Sequence, residues 1–126
     1  MSLRSPLSKA VGLGSAGHGF SHWWWQRVTA VALIPLGLWF VFNVINLFGA
    51  PFNQVNAWLS APLNATLMLL FVLTALYHGQ TGLQVVIEDY IHTKWLNLTL
   101  LLLIKFAAAG MAVFSVISIL KVSLGA

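Results

Sequence analysis

The residues best suited to chemistry lie close together, in the stretch Tyr77–Tyr90, which reads YHGQTGLQVVIEDY. His78 is the one strongly ionisable side chain in the sixty residues from Val28 to Ile87, a run with no Asp, Glu, Lys or Arg. Glu88 and Asp89 are the only acidic residues of the chain, and Tyr90 follows them directly. An imidazole in an apolar segment can ligate a metal, haem iron included, or hydrogen-bond across a helix interface. A carboxylate at the segment's mouth can receive and pass protons. A phenol can donate a hydrogen bond to a carbonyl oxygen.

Placed on a helix at about 100° per residue, Phe71, Thr74, His78, Gly82, Val85 and Asp89 share one side. Glycine four residues beyond His78 removes a side chain next to the imidazole, and Ala75 and Thr81 are expected to widen the gap. A flat porphyrin needs such a clearing to approach a helix, so His78 and Gly82 read as half of a haem site. The other half is missing. His18 and His22 precede the first apolar segment and His92 lies in a connection. A second axial histidine would come from another membrane chain. The alternative role for His78 is an interhelical hydrogen bond, a contact that averages about 0.6 kcal/mol.

Asp89 lies ~16 Å further along the helix than His78, at ~1.5 Å per residue. With His78 near mid-membrane, Asp89 and Tyr90 reach the interface. Arg27 is expected at the same depth, able to pair with Asp89 or with a haem propionate. The alternatives are an interfacial aromatic anchor for Tyr90 and a helix-end charge for Asp89.

The elements that must carry these residues follow from composition. The 126-residue chain is 60% hydrophobic and 6% charged, with a mean hydropathy of +0.90. Soluble domains carry about 25% charged residues. The fold class is therefore all-α integral membrane, with three transmembrane helices over about 23–48, 63–87 and 95–120. Residues 1–22 form an arm rich in glycine, and 23–126 the three-helix membrane anchor. No soluble catalytic domain fits. With no cysteine, thiolate-bound clusters and disulfides are excluded. The six Lys and Arg are scattered rather than clustered, which argues against nucleic acid and for membrane orientation.

Segment one opens on His22-Trp23-Trp24-Trp25-Gln26-Arg27, with aromatic rings suited to the headgroup level, and Pro35 should weaken or kink it. Residues 49–62, with two prolines and a glycine, read as a loop, and Trp58 as an interfacial anchor. Asn43 and Asn46 mark the far end of segment one, where water or headgroups satisfy amides. Arg4, Lys9, Arg27 and Lys94 fall on the side of the N-terminus and the second connection, whereas the first connection has no basic residue. Positive-inside logic puts the N-terminus in the cytoplasm. Lys105 is the exception, ~15 Å into segment three, beside the small residues Ala108, Ala109 and Ala112. A central lysine costs about 2.5–3.5 kcal/mol, so it either meets a partner or a water-filled gap, or snorkels to the surface.

The pattern H-x3-G-x6-D-Y, as His78, Gly82, Asp89 and Tyr90, resembles the small membrane-anchor subunit of succinate dehydrogenase, the D subunit of respiratory complex II. The run Trp23-x-Trp25-Gln26-Arg27-Val28-Thr29-Ala30 is similar to the start of that family's first helix, particularly in its bacterial members. The resemblance covers about residues 20–95; the third segment matches only in kind. It implies that His78 is an axial ligand to a b-type haem, opposite a histidine of a second, cytochrome b-type anchor subunit with which the helical bundle is shared. It implies that Tyr90 hydrogen-bonds ubiquinone, that Asp89 supports that site and its proton supply, and that Arg27 lies near the propionates or quinone. Succinate oxidation would belong to a flavoprotein subunit, with an iron–sulfur subunit carrying the electrons, all held at the bacterial cytoplasmic membrane. Two alternatives stand beside this reading: a fumarate reductase anchor, and a haem-free membrane scaffold or assembly subunit. A small transporter is disfavoured by the lack of paired charges or duplicated halves.

Overall fold

The computed structural model describes residues 5–7 and 16–125. It contains α1 (Ala16–Leu47), α2 (Phe52–Ser60), α3 (Pro62–Tyr90) and α4 (Lys94–Ser123), in that order. Three of these, over Gly19–Leu47, Pro62–Tyr90 and Lys94–Ser123, are long and apolar enough to cross a membrane. At ~1.5 Å per residue each is ~44 Å long, more than the ~30 Å of hydrocarbon, so each has turns to spare in the headgroup layer.

The helices run further than the hydrophobic pattern predicts. α1 begins at Ala16, so Gly17, Gly19 and His22 belong to a helix and not to an arm. It continues unbroken through Pro35, with a helical assignment on both sides of the ring. Proline removes one backbone donor, a loss that membrane helices tolerate. α3 runs to Tyr90, which leaves only Ile91–Thr93 as the second connection. Glu88, Asp89 and Tyr90 therefore project from a helix end.

The first connection is not simply a loop. Gly49 takes φ 76, the left-handed conformation that reverses a chain after a helix, and Pro51 then starts α2. Ala61 ends α2 and starts α3 with φ −66 and ψ 127, because Pro62 disfavours helical geometry in the residue before it and suits the first turn of the helix after it. The two prolines that read as loop signals are thus helix-start signals. α2 is fastened to α1 by Trp58, whose ring stacks on Trp39 with centroids 5.7 Å apart and whose Nε1 donates to Asn43 Oδ1 at 3.0 Å. The Asn43 amide in turn donates to the Trp39 carbonyl at 2.7 Å, so protein and not headgroup satisfies it.

α3 packs against both α1 and α4 and forms the middle of the layer. Its α1 face includes Phe71, whose ring stacks on Phe40 at 4.5 Å. Its α4 face runs along Ala75, Leu76, Gly79 and Leu83, opposite Ile104, Ala107, Ala108 and Met111. Asn97 pins the start of α4 to the end of α3, donating to the carbonyls of Ile87 at 3.3 Å and Ile91 at 3.0 Å. The Ile87 carbonyl also accepts from the Ile91 backbone N–H at 2.9 Å, so the one Asn97 amide reinforces the end of α3 and fixes the turn.

Candidate functional site

The seam between α1 and α3 carries the polar groups of the site. On α1, His22, Gln26 and Thr29 are spaced four and three residues apart, and the spacing puts them on one stripe. The opposing stripe of α3 carries His78, Thr81 and Gly82. The helices run antiparallel, so Thr29 meets His78 and Gln26 meets Thr81.

Thr29 is 8% exposed, and its hydroxyl makes two kinds of contact. Within α1 it lies 2.7 Å from the Trp25 carbonyl and 3.2 Å from that of Gln26. Across the seam it lies 3.0 Å from His78 Nδ1. A hydroxyl has one hydrogen, and a carbonyl has none to give. The 2.7 Å contact with Trp25 therefore uses the Thr29 hydrogen, and His78 Nδ1 must supply its own. His78 is held as the tautomer with Nδ1–H donating to Thr29 Oγ1. In the neutral ring Nε2 then carries the lone pair, and it has no hydrogen-bond partner among the described residues.

One turn towards the N-terminus of α1, Thr81, 5% exposed, donates to Gln26 Oε1 and is also 3.0 Å from the carbonyls of Tyr77 and His78. Gln26 Nε2 lies 3.6 Å from where a Cβ on Gly82 would stand. This corrects the expected clearing. Gly82 admits the Gln26 amide of α1, and Thr81 is consumed by the same side chain instead of widening a gap. The glycine with open space next to His78 is Gly79, where a Cβ would meet nothing within 4 Å. His22 completes the stripe, and its Nε2 is buried without a hydrogen-bond partner among the described residues. It lies within the first long helix, not ahead of it.

The rim residues fall where the topology requires. Asp89 and Tyr90 end α3, and both are exposed, Tyr90 at 78%. Arg27 is exposed and lies over the Trp23 ring at 5.6 Å from its centroid, not against Asp89. It follows Gln26 by one residue and precedes Thr29 by two, so it points about 100° to 160° around α1 from the α3-facing stripe. His92 is exposed in the short second connection.

A further polar line was not foreseen. Gln80 Nε2 donates to Gln84 Oε1 at 3.4 Å and Gln84 Nε2 to Glu88 Oε1 at 3.0 Å, a ladder at four-residue spacing along α3. Its inner end borders a cleft of about 230 Å³ between α3 and α4, lined by Tyr77, Gln80, Lys105 and the alanines 108, 109 and 112. The i, i+4 spacing of Gln80, Gln84 and Glu88 was the available signal. Lys105 is exposed and faces this cleft. No group of three or more His, Cys, Asp or Glu side chains able to hold a metal ion occurs among the described residues.

The family model for the succinate dehydrogenase/fumarate reductase transmembrane subunit matches residues 1–116. The chain belongs to that family. It is 38% identical over 102 residues to the succinate dehydrogenase hydrophobic membrane anchor subunit of Rickettsia bellii, covering 81% of this chain and 82% of that one. The protein of the same name from Paracoccus denitrificans is 31% identical over 122 residues, covering 97% and 94%. The succinate dehydrogenase membrane anchor subunit of Reclinomonas americana is 30% identical over 93 residues, covering 71% and 78%. No solved structure shows significant similarity. Within the family this chain is a transmembrane anchor subunit, and the three apolar helices fit that membership.

Proposed function

We propose that this anchor supplies one axial ligand to a b-type haem and one wall of a ubiquinone site in a succinate:quinone oxidoreductase. The observation that carries the haem reading is the state of His78. Its Nδ1 lies 3.0 Å from the Thr29 hydroxyl, and its Nε2 has no hydrogen-bond partner among the described residues, so in the neutral ring the Nε2 lone pair is unclaimed. Metal-bound histidines usually present one nitrogen to the metal and donate the other N–H to a nearby acceptor. His78 lies ~24 Å along α3 from Pro62 and ~18 Å from Tyr90, so near mid-membrane. A neutral imidazole there suits iron in a haem, a cofactor that exchanges single electrons. A second membrane anchor would provide the opposite ligand, and Arg27, which pairs with no carboxylate among the described residues, would offer its guanidinium to a propionate or to the quinone pocket. Gly82 packs against Gln26 of α1 in the same seam that brings Thr29 to His78.

At the rim, Tyr90 would donate its phenolic hydrogen to a quinone carbonyl oxygen. Asp89, one residue earlier, would hold and pass the protons that quinone reduction consumes. Electrons would arrive from an iron–sulfur subunit and, before it, from a flavoprotein subunit that oxidises succinate. The distribution of Arg4, Lys9, Arg27 and Lys94 supports a cytoplasmic N-terminus, with the Asp89–Tyr90 rim on the same side of a bacterial inner membrane.

The test is a reduced-minus-oxidised optical spectrum of the purified membrane complex and of its His78→Ala variant. A b-type signal that is altered or lost in the variant is the expected result. A complex with no such signal would leave His78 as an interhelical contact and the chain as a haem-free anchor.

A further inference from the structure

We infer that Thr29 is the positioning residue for the iron ligand: it selects the His78 tautomer, sets the ring's orientation and thereby tunes the haem. The inference rests on the haem reading of His78 and deepens it.

The geometry is set on α1 before α3 is considered. A threonine in a helix can turn its hydroxyl back to the carbonyl one turn earlier, and Thr29 does so at 2.7 Å from the Trp25 carbonyl. β-Branching leaves few rotamers, so this bond fixes the direction of the oxygen's lone pairs. One lone pair faces α3 and receives His78 Nδ1–H at 3.0 Å. The result is a chain of two hydrogen bonds, from imidazole to hydroxyl to backbone carbonyl. It ties the ligand to the rigid first helix through the carbonyl of Trp25. Thr29 is almost fully buried, so water is poorly placed to replace it.

Two consequences follow. The tautomer decides which nitrogen is free, and here it is Nε2. An acceptor on Nδ1–H also makes the imidazole a stronger electron donor at Nε2, which favours ferric over ferrous iron. Removing the acceptor therefore raises the midpoint potential. Thr81 supplies a matched control. It is a second buried seam hydroxyl, but its partner across the seam is Gln26 and not the histidine ring.

The experiment compares Thr29→Val, Thr29→Ser and Thr81→Val in the assembled, purified complex. Redox titration of the b-type signal, the low-spin electron paramagnetic resonance spectrum and haem content after exposure to apomyoglobin are recorded. Thr29→Val is expected to shift the potential upward, move the resonance positions and weaken haem retention by about 10- to 100-fold. Thr29→Ser, which keeps the hydroxyl, should return all three towards wild type, and Thr81→Val should leave the potential and resonances in place. An unchanged potential and spectrum in Thr29→Val would overturn the inference, as would an equal shift in Thr81→Val. If Thr29→Val does not assemble, Thr29→Ala removes the same acceptor with less bulk and is read by the same criteria. Failure of the underlying haem reading looks different: His78→Ala would then leave the signal untouched.

Discussion

At the scale of single residues, His78 and Tyr90 occupy opposite physical settings. His78 is half-buried against Thr29 with one nitrogen committed and one open, whereas Tyr90 is exposed at the end of α3 and makes no hydrogen bond with the described residues. A side chain that stabilises nothing within its own chain can be altered without harming the fold. Tyr90→Phe is therefore expected to leave complex assembly and dye-linked succinate oxidation near wild type while slowing quinone reduction. Loss of one hydrogen bond worth about 0.5–1.5 kcal/mol corresponds to a drop of up to about tenfold. Parallel assays with an artificial dye and with a soluble ubiquinone analogue make the comparison. An equal fall in both would point to failed assembly and remove Tyr90 from the quinone site.

At the scale of elements, the α1–α3 seam is the structure's most specific feature. It is held by the Phe40–Phe71 stack and by the Thr29–His78 and Gln26–Thr81 hydrogen bonds. At Gly82 the Gln26 amide lies 3.6 Å from the position of an added Cβ. That distance is ordinary van der Waals contact, so Gly82→Ala should be tolerated. Gly82→Leu has to displace Gln26 and is expected to destabilise by about 1–3 kcal/mol, as overpacking generally does. Thermal denaturation of the purified complex, followed by loss of the b-type signal, would rank wild type and Ala above Leu. A Leu variant as stable as wild type would mean that the seam is looser than this packing implies.

At the scale of the whole molecule, the chain has almost no core of its own. Ala65 and Ile119 are the buried apolar residues among those described, and large side chains from Phe20 to Leu124 remain exposed. Lipid covers such a surface readily, since bilayer chains are as apolar as leucine. The polar features are less easily left to lipid: the open His78 nitrogen, the Gln80–Gln84–Glu88 ladder and exposed Arg27 ask for protein, cofactor or water. Production of this anchor without a second membrane subunit is therefore expected to yield no b-type spectrum in isolated membranes, and co-production to restore it. A haem signal from this chain alone would contradict the half-site reading.

The membrane character, the three apolar spans and the special position of His78, Asp89 and Tyr90 are legible in the sequence. Hydrophobicity and span length are local properties that the thickness of the bilayer selects. His78, Gly82, Asp89 and Tyr90 lie within one helix, where separation along the chain converts directly into depth. What tertiary structure alone decided involves residues far apart in sequence. Thr29 and His78 are 49 positions apart, and Gln26 and Thr81 are 55. Which pairs meet depends on how two helices rotate and slide against each other, and a periodic pattern does not encode that. The same holds for Gly82, a clearing by composition and a close helix contact in space, and for Asn43, an exposed amide by position and a partner of Trp58 in the fold. Helix packing turned a histidine with two equivalent-looking nitrogens into one with Nδ1 held and Nε2 without a hydrogen-bond partner among the described residues, because a single threonine hydrogen was already committed to the backbone of α1.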